Sequence, residues 1–326
     1  MSNTSTTGTP LDAILDDLAI VQAIGNTPLL RLKRVERDYG IAPDVELWVK
    51  AEWANPGGSV KDRPALAIIR DALRSGELGN GKTLLDGTSG NMGIAYALLG
   101  AALGIPVELV LPYSASPERL DLLRAYGATF TLSNPDDGVT GGQLIVERLL
   151  EEHPDRYYYA GQGANAANPR AHYEGTGPEI WAQTSGRITH FVAGLGTTGT
   201  IMGAGRFFKE RNPEIELIAV QPDTYPHGVA GLKHLPTGPV PEIYDETRVD
   251  RHVAIDTDDA IATTRKLLAL EGLFVGVSTG AALAAAIRVA RDATQPAVIV
   301  FVAPDNGSKY LSTDVWRQPD PSAITE

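Results

Sequence analysis

Residues 82–111 read KTLLDGTSGNMGIAYALLGAALGIPVELVL, and three pieces of this stretch decide the fold. Residues 82–86 are a short apolar run that predicts a strand, ending in the turn Gly87-Thr-Ser-Gly90. Residues 91–103 form a helix of small and aliphatic side chains, apolar nearly all round, and such a helix is buried. Residues 107–111 are a second strand. Strand, buried helix and strand in direct succession are the signature of a parallel sheet covered by helices.

The same alternation extends outward. Residues 45–51 alternate like a strand, and 62–75 carry helical spacing with Leu66, Ile69 and Leu73 on one side. Residues 117–126 are a helix, 129–132 a strand and 141–151 a helix. A second series follows, with strands at 189–193, 216–221 and 297–302 and helices at 200–210, 258–270 and 281–290. Residues 222–250, rich in Pro, Gly and Tyr with weak periodicity, are too long for an idle connection and predict an active-site loop. The simplest reading is two three-layer α/β lobes with mostly parallel sheets. A smaller, mobile, substrate-binding lobe spans 45–155, and a larger lobe spans 1–44 plus 156–326. In such a fold a ligand sits at the carboxyl ends of the strands, between the lobes.

Composition removes several chemistries. The chain has no cysteine, which excludes disulfides, zinc–thiolate sites, iron–sulfur clusters and a cysteine nucleophile. Its six histidines show no metal-ligand spacing, so no metal is expected. The net charge is −12 and basic residues are scattered, which argues against nucleic-acid binding. No apolar run approaches a membrane span. The first ten residues are polar and read as a loose tail rather than a signal peptide, so a cytoplasmic enzyme is expected.

Chemistry concentrates in strand-to-helix turns. Asn55-Pro-Gly-Gly-Ser-Val60 leads straight into Lys61-Asp-Arg-Pro64. Ser59 reads as a helix cap and Asp62 as the other half of a capping box. Lys61 then stands at the positive end of a helix, which disfavours its protonated form. A neutral lysine is what a Schiff base with an aldehyde requires, although a lone lysine at a helix start is more often simply solvated. Gly194-Leu-Gly-Thr-Thr-Gly-Thr200 also follows a strand and opens a helix, with glycines and hydroxyls that suit a phosphate. A reactive amine plus a phosphate cradle points to pyridoxal 5′-phosphate. Thr88-Ser-Gly-Asn-Met-Gly93 offers backbone N–H groups to an anion such as a substrate carboxylate, and Asn91 can donate to a phenolate oxygen. Ser278 either caps a helix or faces a pyridine nitrogen. Asp305-Asn-Gly307 reads as a structural turn. Gln162 has no compelling local role.

Taken together these segments resemble the cysteine synthase family, the O-acetylserine and O-phosphoserine sulfhydrylases of the β-family (fold type II) of pyridoxal-phosphate enzymes. The resemblance runs from Ile24-Gly-Asn-Thr-Pro-Leu29 to Lys309-Tyr-Leu-Ser-Thr313, through Gly58-Ser-Val-Lys-Asp-Arg63, Ser116-Pro-Glu-Arg119, Ala167-Asn-Pro169, Gly175-Thr-Gly-Pro-Glu179 and Gly196-Thr-Thr-Gly-Thr200. It implies that Lys61 carries the cofactor and removes the substrate α-proton, and that Asn91 bonds the ring hydroxyl oxygen. It implies that Gly196, Thr197, Thr198, Gly199 and Thr200 hold the phosphate and that Ser278 faces the ring nitrogen. Thr88, Ser89 and Gln162 would bind the amino-acid carboxylate, and Met92, Gly231 and Lys233 would complete the substrate site. The implied reaction is β-replacement: O-acetylserine or O-phosphoserine and sulfide give cysteine through an α-aminoacrylate intermediate.

Some positions depart from the family pattern. Met92 stands where threonine is common, Gly163 replaces an aromatic residue, and Asp86-Gly87 replaces Glu-Pro or Glu-Ala. Lys233 reads equally as a phosphate contact and as a solvated loop lysine. The nearest alternative enzyme is a cystathionine β-synthase, joining serine to homocysteine. A dehydratase is disfavoured by the phosphate loop, which in that group is a run of glycines. Outside enzymes, the alternative is a nucleotide-binding or regulatory α/β protein, which would not need Lys61. A homodimer is a family expectation, and serine acetyltransferase is a possible partner.

Overall fold

The computed structural model describes residues 10–88, 90–134 and 141–316. Its strands are β1 (Leu29–Arg31), β2 (Val45–Ala51), β3 (Thr83–Gly87), β4 (Val107–Leu111), β5 (Thr129–Leu132), β6 (Tyr157–Tyr159), β7 (His190–Gly194), β8 (Glu216–Pro222), β9 (Arg251–Ile255) and β10 (Ala297–Ala303). They form a six-stranded sheet in the order β1-β2-β10-β7-β8-β9 and a four-stranded sheet in the order β5-β4-β3-β6. Every pairing is parallel except β1 with β2.

Strand β10 shows why the larger sheet is central to the molecule. Its sequence AVIVFVA is buried at every position, as expected of a parallel strand covered on both faces. Alternate residues point to opposite sides. Ile299 and Phe301 join Leu47, Val49, Ile218 and Val220 under the helices Thr257–Glu271 and Val277–Asp292. Val300 and Val302 join Phe191, Leu217 and Phe208 under the helices Gly177–Gln183 and Gly199–Arg211. Each such buried aliphatic or aromatic side chain contributes roughly 1.5–3 kcal/mol. The smaller sheet is built likewise. Leu84, Leu109 and Leu111 pack with the helices Asp62–Ser75, Asn91–Leu103 and Pro117–Ala125, while Leu85 and Val110 pack against Val146 of the helix Gly141–Glu152. The molecule is therefore two α/β lobes with parallel and mixed sheets, as the sequence predicts.

Two boundaries differ from expectation. β2, placed by sequence at the start of the smaller lobe, is hydrogen-bonded along its length to β10 in the larger sheet. β6, placed in the larger lobe, pairs with β3 in the smaller one. Alternation identifies a strand but carries no information about which sheet it joins, so the divisions at 45 and 155 do not coincide with the sheets. The 222–250 segment holds only a 3₁₀ turn, Glu246–Arg248, and ends where β9 begins.

Candidate active site

Parallel strands deliver their carboxyl ends to one side of a sheet, and the functional segments lie there. After β2 the chain makes the 3₁₀ turn Glu52–Ala54 and enters the glycine turn ahead of Lys61. This turn is stitched to the end of β10: Val60 N–H donates to Pro304 O at 2.8 Å, and Ser59 bridges Asp305. The expected capping box is not formed. Lys61 itself occupies the position before the helix Asp62–Ser75, and the Ser59 hydroxyl accepts from Lys61 N–H at 3.2 Å. The Asp62 carboxylate accepts instead from Gly57 N–H at 2.5 Å, because the chain doubles back at the glycines and brings that donor closer. Burial lowers the Lys61 ammonium to about 8, opposed only by the Asp305 carboxylate. No acceptor takes a hydrogen bond from Lys61 Nζ among the described residues.

Asn91 opens the helix Asn91–Leu103 beneath this turn. Its Nδ2 donates to Asp305 Oδ2 at 2.7 Å, and its Oδ1 accepts from Lys309 Nζ at 2.9 Å. Asp305 is fully buried, also accepts from the Tyr310 hydroxyl at 2.6 Å, and keeps Oδ1 without a partner. Gly276 N–H donates to Asp305 O at 3.1 Å, which sets the start of the helix Val277–Asp292 against the same residue. That helix has no side-chain cap, so buried Ser278 is not spent on capping. Asp305, Lys309 and Tyr310 were missed from sequence, where Asp305-Asn-Gly307 read as a structural turn. The available signal was an aspartate at the carboxyl end of the most apolar parallel strand.

The second cradle follows β7. Thr198 adopts a left-handed φ of 70°, and the helix Gly199–Arg211 starts immediately after it. A methyl group on Gly199 would lie 1.9 Å from Asn168 Oδ1, and one on Gly196 would lie 2.7 Å from Gly231 O. Only glycine fits either place. Asn168 Nδ2 donates to Thr197 Oγ1 at 3.1 Å, and the Thr200 hydroxyl pairs with His172 Nε2 at 3.3 Å. Burial depresses His172 to about 3, so this imidazole is neutral.

The remaining predicted residues divide. Gln162 Nε2 donates to Gly87 O at 3.0 Å, and its backbone N–H reaches Asp86 Oδ2 at 3.4 Å, which joins the Gln162 turn to the end of β3. Asn168 Nδ2 donates to Gln162 O at 2.8 Å, linking that turn to the phosphate loop. Thr88 is buried, and its hydroxyl accepts from Gly90 N–H at 3.2 Å. Ser89 lies outside the described residues. Met92 is corrected: its side chain is 1% exposed and belongs to the apolar cluster of the smaller lobe. Its helical position turns the thioether inward, leaving its backbone N–H for the turn. Gly231 adopts a left-handed φ of 90°, and its carbonyl oxygen lies against Gly196. Lys233 N–H donates to Leu195 O at 2.7 Å, while its ammonium, lowered by burial, makes one long contact to Pro239 O at 3.5 Å.

This donor set fits pyridoxal phosphate. The helix start at Gly199 with threonine hydroxyls suits a dianion. Lys61 is an unsatisfied amine suited to an aldehyde, and Asn91 and Ser278 suit a ring hydroxyl and a ring nitrogen. Among the described residues no cluster of His, Asp and Glu suits a metal ion, and no helix is long and apolar enough to cross a membrane.

The profile of the pyridoxal-phosphate dependent enzymes matches residues 20–305. The chain is 50% identical over 305 residues to a cysteine synthase of Aquifex aeolicus, covering 92% of this chain and 93% of that protein. It is 43% identical over 297 residues to cysteine synthase B of Pseudomonas aeruginosa, covering 91% and 97%. The crystal structure of O-acetyl serine sulfhydrylase isoform 3 from Entamoeba histolytica superposes with a TM-score of 0.86 at 35% identity, covering 93% of this chain and 92% of that one.

Proposed function

The chain belongs to the pyridoxal-phosphate dependent enzymes, and from that premise we propose that it makes L-cysteine from O-acetyl-L-serine and sulfide. The observation that carries the reading is Lys61, a half-buried amine with no acceptor of its own among the described residues, lowered to about 8. Its support is the relatives named cysteine synthase over nearly the whole chain.

When bound, pyridoxal phosphate supplies an aldehyde for an amine and a ring that withdraws an electron pair from the substrate α-carbon. Lys61 takes the α-proton and later returns it. The 196–200 loop holds the cofactor's phosphate. Asn91 would donate to its ring hydroxyl oxygen, and Ser278 would face its nitrogen without enforcing a charge there. Thr88, Gln162 and the amides opening the helix Asn91–Leu103 take the substrate carboxylate. The net reaction exchanges acetate for sulfur at the β-carbon. The smaller lobe closes over the substrate, and the enzyme works as a cytoplasmic homodimer.

The test is product formation. O-acetylserine with sulfide yields cysteine, O-phosphoserine and serine yield less, and Lys61→Ala yields none. Cystathionine from serine and homocysteine at a higher rate would shift the reading to that synthase. A Lys61→Ala variant with undiminished activity would overturn it.

A further inference from the structure

Lys309 is 4% exposed, and its ammonium meets three acceptors: Gly57 O at 2.9 Å, Gly58 O at 3.2 Å and Asn91 Oδ1 at 2.9 Å. An ammonium has three hydrogens and cannot accept, so all three are used and the Asn91 atom facing Lys309 must be the oxygen. The amide nitrogen is thereby turned to Asp305 Oδ2, 2.7 Å away. The same Oδ2 also accepts from the Tyr310 hydroxyl, and the Asp305 backbone oxygen accepts from the Gly276 amide. The carboxamide cannot flip, since a flip would set its N–H groups against an ammonium and its oxygen against a carboxylate. One Nδ2 hydrogen goes to Asp305, and the other is fixed in the same plane.

We propose that Lys309, together with Asp305, is a positioning residue that clamps the Asn91 carboxamide in one orientation and aims its remaining N–H at the ring hydroxyl oxygen of the cofactor. The inference rests on pyridoxal phosphate occupying this cleft. Because Lys309 also holds Gly57 and Gly58, one ammonium fixes the amide donor relative to the turn that carries Lys61. The clamp joins segments from both lobes, as the Ser116 hydroxyl donates to Lys309 O at 3.0 Å.

The experiment is a double-mutant cycle read by equilibrium titration of the apoprotein with pyridoxal phosphate, following visible absorbance, with circular dichroism to check the fold. Lys309→Met weakens cofactor binding about tenfold, the scale of losing one well-placed hydrogen bond, and shifts the absorption maximum. In the Asn91→Ala background the same substitution has no further effect, because the group it positions is gone. Lys309→Arg, which also only donates, recovers most of the affinity. Unchanged binding and spectrum in Lys309→Met overturn the clamp, and so does an equal loss in both backgrounds, which would assign the effect to the Gly57–Gly58 turn. If Lys309→Met does not hold its fold, the near-isosteric Asp305→Asn is taken through the same cycle and judged by the same outcomes. Wild-type protein that takes up no pyridoxal phosphate overturns the reading on which the clamp depends, a result distinct from wild type that binds while the variant is unaltered.

Discussion

Burying a lysine costs several kcal/mol unless acceptors surround its ammonium, and three lysines here meet that cost differently. Lys50 is bonded to Thr27 O, Glu179 and Gln183, and Lys309 to three acceptors of its own. Lys61, only half-buried, has none among the described residues, and desolvation, opposed by the Asp305 carboxylate, sets its titration near 8. The rate at which apoprotein takes up pyridoxal phosphate, measured by stopped-flow absorbance, rises with pH towards 8 and levels off above it, because the neutral amine reacts. A rate that climbs unabated past pH 9 contradicts this. Asp86 gives a second residue-scale test. Burial raises its carboxyl to about 7, with the Gln162 amide opposing. A carboxyl raised in the folded state adds stability below its unfolded value, and that contribution is lost as pH rises from about 4 to 7. Asp86→Asn therefore melts higher than wild type at pH 8 and at the same temperature at pH 4. Lys61, Asn91 and the 196–200 loop were legible because each lies in a strand–turn–helix motif with local chemistry. Asp305 and Lys309 were not, because they meet Asn91 from 214 and 218 residues away.

At the scale of elements, most long strands and helices were readable to within a residue or two, as was the half-exposed β5, whereas the helix Val277–Asp292 starts four residues before its expected beginning and β1, β6 and β9 were not foreseen. β1 and β6 have three residues each, too few to show a period. β9 is an edge strand with only Val253 and Ile255 buried, and it merged with the polar loop before it. The helix Asp62–Ser75 is fixed to the rest of the protein by buried charge: Arg63 pairs with Glu52 at 2.7 Å and with Glu179 at 2.7 Å. Arg63→Met leaves Glu52 buried without its cation, and a loss of about 3–5 kcal/mol is expected in denaturant unfolding. The phosphate helix gives a test of a different kind. Gly199→Ala places a methyl group inside the Asn168 carboxamide. The variant is expected to fold but to lose pyridoxal phosphate on dialysis that leaves wild type loaded, and full retention would count against the loop as the phosphate cradle.

At the scale of the whole molecule, two sheets present their carboxyl ends to one cleft. Lys61 and the phosphate loop follow β2 and β7 of the larger sheet, Ser278 opens the helix Val277–Asp292 after another helix rather than after the strand expected from sequence, and Thr88 and Asn91 follow β3 of the smaller sheet. The sequence showed the alternation and its two series but not which series owned β2 and β6, since pairing is a property of the assembled sheet. The most direct test of pyridoxal-phosphate chemistry on Lys61 is the absorbance spectrum of the purified, cofactor-loaded protein, recorded before and after O-acetylserine and again after sulfide. A visible band that changes with O-acetylserine and returns with sulfide, and that is absent in Lys61→Ala, is the predicted result. A protein that stays colourless after incubation with pyridoxal phosphate, or a band indifferent to O-acetylserine, would contradict it.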